Sequence, residues 1–335
     1  MAGMRTLGSV LIVTVTAALG CTSRADDTAV NVATSGGEHA PAADDRNDPS
    51  TGGRPSAGCD IDRAGSFDRN QRISTGSIAV DGVERRYRIA LPADLEPDRP
   101  SPLVVAQHGR AADAASLEAV SDLLVLGPTS GFITVLPEGE DGDWELSPEG
   151  HDTRFLLALL DHLDVTRCVD LDRIHGAGMS MGAWKIAITA CTIPGRFASL
   201  ALVTVEVFPG KCDSLPVIAF HGTADVVVPY GKGGEDVIGI DAFNATLPGA
   251  LDNIGAWALN AGCSHEPAES RLAPDVVVLT YAKCDRGAEV VLYTIEGGGH
   301  TWPGSKLPDA FGQSNTRTIS ATELSLDFFD AHAQR

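Results

Sequence analysis

Gly178-Met179-Ser180-Met181-Gly182 constrains this chain more than any other stretch. It is a G-x-S-x-G pentapeptide. Before it runs Leu171-Asp172-Arg173-Ile174-His175-Gly176-Ala177, which reads as a short buried strand. After it comes Ala183-Trp184-Lys185-Ile186-Ala187-Ile188-Thr189-Ala190, with no Pro or Gly to stop a helix. A Gly/Ser-rich turn can carry the bare pattern by chance. Strand, sharp turn and helix together give it a meaning. The turn thrusts the serine out on a strained backbone, and the flanking glycines let the strand and helix backbones approach closely. The spacing predicts a nucleophilic serine at position 180.

The flanking chain has to supply a scaffold for such a turn. Gly76 to Val80 and Val83 to Leu91 enclose Asp81-Gly82, a two-residue hairpin signal. Leu103-Val104-Val105-Ala106 is a continuous apolar run, as in a strand buried on both faces, and it ends in His108-Gly109-Arg110. A helix is predicted around Ala115 to Val125 and a strand at Phe132 to Leu136. A helix beginning at Asp152 sets Phe155, Leu159 and Leu163 on one face. Beyond the pentapeptide, Phe197 to Val205, Pro216 to Phe220, Val276 to Tyr281 and Val290 to Ile295 read as strands. Asn253 to Asn260 reads as helix. Ser320-Ala321-Thr322-Glu323 is a capping box opening a last helix that buries Leu324 and Phe328. Strands alternating with helices imply an α/β fold: a mostly parallel, doubly wound sheet with an N-terminal antiparallel hairpin, in one domain over residues 59–335.

A serine elbow needs a base and a group to orient it, in the chain order Ser, Asp, His. Pro216 to Phe220 runs into His221-Gly222-Thr223-Ala224-Asp225, so Asp225 falls just past a strand's carboxyl end, where the sites of open α/β sheets lie. Val290 to Ile295 runs into Glu296-Gly297-Gly298-Gly299-His300-Thr301-Trp302. Taken singly, Asp225 reads as a turn residue and His300 as a loop residue. Three strand ends carrying Ser, Asp and His in the required order make a triad the stronger reading: His300 takes the Ser180 proton and Asp225 fixes the imidazole. The backbone N–H groups of Met181 and Arg110 are the expected oxyanion hole.

These pieces resemble the α/β-hydrolase esterases of the polyhydroxybutyrate depolymerase and feruloyl esterase group, related to carbohydrate esterase family one. The resemblance rests on Asp172-Arg173-Ile174 leading into the pentapeptide, on His221 to Asp225 with Val228-Pro229-Tyr230, and on Gly298 to Gly304. Trp257 with Gly262-Cys263, and Ala321 to Leu324 with Phe328-Phe329, extend it to about residues 76–331. It implies an α/β-hydrolase fold, a Ser180-Asp225-His300 triad and an ester substrate. His108-Gly109-Arg110 stands where the group commonly has His-Gly-Cys, and Ala183 where a second glycine is frequent. Hydroxyalkanoate oligomers and esters on plant polysaccharide both remain open as substrates. The last predicted helix is followed by no polymer-holding domain in this sequence, which counts against crystalline polyester. Acyl transfer to an alcohol uses the same triad, and a non-catalytic surface lipoprotein could keep the fold as a scaffold.

Compartment is read from the ends and the cysteines. Arg5 and the apolar run Val10 to Leu19 form a leader over residues 1–21, too short to span a bilayer stably. Ala18-Leu19-Gly20-Cys21 resembles the bacterial lipobox, which implies a lipid on Cys21 as the sole membrane link. Residues 22–58 hold no aromatic and little large aliphatic surface before Cys59, so a disordered tether is expected there. An exported protein is expected, extracellular or held in the cell envelope. Cys59, Cys168, Cys191, Cys212, Cys263 and Cys284 are an even set, consistent with three bridges in an oxidising compartment. They allow fifteen pairings. Topology together with the family resemblance suggests Cys263 with Cys284, and topology alone suggests Cys168 with Cys191, leaving Cys59 for Cys212. None sits in a metal-ligand pattern, so no metal or cofactor is expected. A net charge of −20 argues against a nucleic-acid partner.

Overall fold

Alternation within the short apolar runs fixes the layering. In the computed structural model, Leu103 and Val105 face one core while Val104 and Ala106 face another, and all four are buried. A strand that is apolar on both faces has to lie inside a sheet covered by helices on each side. The structure describes residues 53–62, 73–96, 98–231, 248–307 and 313–334. The leader and all but the last residues of the expected tether lie outside them. Residues Asp48–Arg335 form one compact unit.

In chain order the elements are α1 (Gly58–Asp62), β1 (Ile73–Val80), β2 (Val83–Ala90), β3 (Ser101–Gln107), α2 (Ala114–Ser121), α3 (Leu123–Thr129), β4 (Ile133–Pro137) and α4 (His151–Thr166). They continue with β5 (Val169–Met179), α5 (Met181–Thr192), β6 (Ser199–Val203), β7 (Val217–Gly222), α6 (Ala250–Asn260), β8 (Ala268–Ala273), β9 (Val276–Tyr281), β10 (Val290–Ile295) and α7 (Ala321–Ala331). One sheet takes the order β1-β2-β4-β3-β5-β6-β7-β10-β9-β8. Its middle, from β4 to β10, is parallel; β1 and β2 at one side and β9 and β8 at the other are antiparallel. This is the expected doubly wound sheet. Helices α4, α5 and α6 cover one face, with Phe155, Leu159, Leu163, Ile186 and Trp257 in that core. Helices α2, α3 and α7 cover the other, with Leu117, Leu124, Leu326 and Phe329.

The hairpin is as expected: Val80 pairs with Val83, and Asp81 and Gly82 both take positive φ, the conformation of a type I′ turn. Ser320 Oγ accepts the Glu323 N–H at 3.2 Å and caps α7. The single helix expected around Ala115 to Val125 is two. Asp122 adopts φ 55° and closes α2, Ser121 Oγ accepts the Leu123 N–H at 3.2 Å, and α3 restarts so that Leu123 and Leu124 are buried. Strand β8 was not legible: Ala268-Glu269-Ser270-Arg271-Leu272-Ala273 is an exposed edge with no apolar face to betray it.

The cysteines pair as Cys263–Cys284, as expected, and as Cys59–Cys168 and Cys191–Cys212, which replace the other two expected bridges. Helix α5 packs on β5 and runs back toward the start of that strand, so its end lies near the amino-terminal edge of the sheet. There Cys191 meets Cys212 ahead of β7 rather than Cys168 at the start of β5. Cys168 is reached instead by the N-terminal segment. The Ser56 N–H donates to Val169 O, its Oγ donates to Arg167 O, and the Arg54 N–H donates to Asp172 Oδ2. Chain ahead of the expected boundary at Cys59 is thus already part of the fold.

Candidate active site

Ser180 sits at the tip of β5 with φ 55° and ψ −125°, a backbone that few non-glycine residues adopt. Two contacts explain why the pentapeptide needs glycines. A Cβ at Gly178 would strike the backbone of Gly182 and Ala183, and a Cβ at Gly182 would strike the carbonyls of Gln107 and His108. The Ser180 N–H is held by Val203 O of β6 at 2.9 Å, and Ala183 and Trp184 N–H groups return to Ser180 O. Met181 is the first residue of α5, where backbone N–H groups have no intrahelical acceptor.

The histidine and the acid meet because their strands are neighbours. Strand β10 pairs with β7 from Val290↔Val217 to Ile295↔Gly222. Past the strands, Ala224 N–H donates to Gly298 O at 2.8 Å and Gly297 N–H to Thr223 Oγ1 at 2.8 Å. Gln313 Oε1 accepts from both Val226 and His300 N–H groups at 3.1 Å. His300 Nδ1 lies 2.8 Å from Asp225 Oδ2, and both side chains are buried. The Val227 and Val228 N–H groups donate to Asp225 Oδ1 at 2.8 and 2.9 Å. Burial would raise the Asp225 carboxyl, but the bonds from His221 and His300 outweigh it and hold the group well below the usual carboxylate range. Asp225 is a carboxylate at any pH where an imidazole is neutral.

On the other side of Ser180 lies Gly109, where a Cβ would stand 3.4 Å from Ser180 Cβ. The loop is clamped by the ring ahead of it. His108 Nε2 accepts the Gly139 N–H at 2.9 Å, so Nδ1 carries the proton and donates to Gly109 O at 2.7 Å. Burial lowers the pKa of this ring, in keeping with a neutral imidazole. Trp144 Nε1 donates to His108 O at 2.9 Å. The Trp144 segment is itself pinned: Asp152, buried at the start of α4, accepts Arg85 Nη2 and the Glu145 N–H, each at 2.6 Å. A trans peptide points its C=O and N–H in opposite directions. Drawing Gly109 O toward His108 therefore turns the Arg110 N–H the other way. The Arg110 guanidinium lies 3.4 Å from Asp143 Oδ2, half-exposed.

Expected residues thus stand at the carboxyl ends of β3, β5, β7 and β10, with Asp225 and His300 in direct contact. The ring of His108, Trp144, Gln313 and the buried pair Glu206–His221 went unread. A His-Gly pair closing two apolar strands was the available signal for the histidines; Trp144, Glu206 and Gln313 had none. Among the described residues no cluster of His, Cys, Asp and Glu could hold a metal ion.

No family model matches the chain. It is 29% identical over 238 residues to "Feruloyl esterase B" of Piromyces equi, covering 67% of this chain and 44% of that one. It is 28% identical over 280 residues to a protein of Nocardia uniformis subsp. tsuyamanensis named as esterase NocK, covering 75% of this chain and 80% of the relative. "Poly(3-hydroxyalkanoate) depolymerase C" of Paucimonas lemoignei is 29% identical over 131 residues, covering 36% of this chain and 31% of its own. The chain thus spans less than half the length of the feruloyl esterase it matches. Among solved structures, an acetyl xylan esterase from Aspergillus awamori aligns with a TM-score of 0.53 at 15% identity, over 77% of this chain and 99% of that one. A thermostable esterase aligns at 0.51 and 17%, over 79% and 64%. The chain has the fold of the α/β-hydrolase esterases. Its likeness in sequence is to proteins named as feruloyl esterase, esterase and poly(3-hydroxyalkanoate) depolymerase.

Proposed function

We propose that this protein is an exported serine esterase working through Ser180, His300 and Asp225. The observation that carries the reading is the buried 2.8 Å contact between His300 Nδ1 and Asp225 Oδ2 on the sheet edge that also bears Ser180 in its strained turn. Neighbouring strands are about 4.8 Å apart, so β5 and β7 stand roughly 10 Å from each other. The loop after β10 has to carry the histidine back across that gap, and its run of glycines suits the path. With Nδ1–H engaged by Asp225, Nε2 is the basic nitrogen. It takes the Ser180 proton as Oγ attacks the acyl carbon, then gives it to the departing alcohol; water repeats the sequence on the acyl-enzyme. The oxyanion is held by the N–H groups of Met181 and Arg110.

Substrates are feruloyl or acetyl esters on polysaccharide, or hydroxyalkanoate oligomers, the classes named by the relatives. The three disulfides fit an oxidising compartment, and a lipid on Cys21 would tether the protein to a membrane. A fluorophosphonate probe should label the protein and fail to label Ser180→Ala. No labelling of the folded wild-type chain sinks the triad. Product analysis on feruloyl, acetyl and hydroxybutyryl esters then ranks the acyl groups. In a bacterial host, Cys21→Ala should release the protein from membranes; unchanged partition removes the anchor and leaves the esterase standing.

A further inference from the structure

His221 ends β7 immediately ahead of the acid loop and is 1% exposed. Its surroundings are all acceptors. Nδ1 lies 2.8 Å from Glu206 Oε2; Nε2 lies 2.9 Å from Val228 O and 3.5 Å from Asp225 Oδ2. A neutral imidazole has one N–H and one lone pair, so it would turn that lone pair onto an oxygen. Only the imidazolium donates on both sides.

We infer that Glu206 and His221 form a buried ion pair behind the catalytic acid, in which the His221 imidazolium positions Asp225 and offsets part of its charge, setting the acid limit of activity. The inference rests on the triad proposed above. The positioning is direct. The ring holds Val228 O while the Val227 and Val228 N–H groups hold Asp225 Oδ1, so the 225–228 loop is closed around its own carboxylate. Burial alone would push the His221 pKa down. The Glu206 charge and the bonds to Asp225 and Glu206 reverse this and raise it to about 10.

Every packed element supplies a known neighbour. The loop after β6 gives Glu206, and α6 gives Trp257, whose Nε1 donates to Glu206 O at 2.9 Å. Strand β10 gives Thr294, the register partner of His221, which shares a 2.8 Å hydrogen bond with the Tyr230 hydroxyl. The Tyr230 ring packs edge-on at 5.5 Å, and burial raises its phenol, so it stays neutral. His300 approaches from beyond, on Asp225 Oδ2. Two carboxylates and one imidazolium leave one net negative charge beside His300. Removing the imidazolium leaves two, and the added negative charge favours the cationic form of a base facing Asp225.

Ring-nitrogen NMR on the full chain reads the charge directly: the His221 signals should be those of an imidazolium at pH 7 and remain so past pH 8. A neutral ring at pH 7 overturns the inference, whether or not any variant folds. In kcat/KM profiles on a short-chain ester, His221→Gln should move the acid limb up by as much as about one unit. Glu206→Gln, which removes a negative charge, should leave it in place or move it down. A folded, active His221→Gln with an unmoved acid limb refutes the electrostatic role. Absence of wild-type activity on every ester refutes the esterase reading instead, and the NMR result still stands by itself.

Discussion

Two corners of the active-site edge are built from the same dipeptide. His108-Gly109 closes β3 and His221-Gly222 closes β7, and both rings are buried to 1% exposure. Their partners call for different charge states. His108 meets one donor, the Gly139 N–H, and one acceptor, Gly109 O, so a neutral ring satisfies both. His221 meets only acceptors, two of them carboxylates. Burial is shared and disfavours the cation in each case; the partner atoms decide. In the proposed mechanism one corner holds the Gly109–Arg110 peptide beside the serine, while the other offsets a carboxylate's charge.

The harshest test removes what both corners serve. Ser180→Ala should lower kcat on a short-chain ester by on the order of 10⁴ to 10⁶, with the folded state intact by circular dichroism. Next, His108→Ala should cost on the order of 10² in kcat by loosening the Arg110 peptide, with KM little changed. Its acid limb should stay where the wild type has it, in contrast to His221→Gln; a shift in the same direction would mean that the corners do not divide the work. Trp144→Phe keeps an aromatic side chain, though a smaller one, and deletes one bond to His108 O, so a loss of about tenfold or less is expected, again in kcat.

The smallest effect separates the corners through stability. A histidine raised from 6.5 to about 10 on folding stabilises fully below its unfolded pKa and progressively less as pH climbs through about 10. Buried Lys185 works the other way. Burial lowers it to about 8, so its cost in the fold shrinks as pH rises above that value. Raw melting curves mix the two. The difference between wild type and His221→Gln isolates the histidine, and that gap in Tm should narrow from pH 6 to pH 10. A gap that widens would reverse the sign assigned here.

Much of this site was legible because its chemistry sits where regular structure stops. Apolar runs announced β3, β7 and β10, and Asp225 and His300 follow β7 and β10 at short distances in sequence. The covering helices were legible too, through Phe155, Leu159 and Leu163 on α4 and the Ser320 cap of α7. What stayed hidden was made by contacts distant in sequence. Gln313 joins the two catalytic loops, yet it is a polar residue in an irregular stretch. Glu206 pairs with His221 across 15 positions and two strands. Two disulfides stayed hidden because Cys168 is taken by the N-terminal segment at Cys59, a contact 109 positions away in sequence. Strand β8 failed because an exposed edge has no buried face to write a pattern.

The glycine at 182 has a consequence for anyone wishing to re-tailor the acyl site. Its missing side chain is the space into which the carbonyls of Gln107 and His108 fit. The Ser180 turn and the end of β3 are therefore a single casting: a larger residue at 182 would displace the two together. Room for new acyl groups has to be found at parts that are not joined in this way. The half-exposed Arg110 side chain, resting against Asp143 at the rim, is such a part, since its backbone can keep its station while the guanidinium is exchanged.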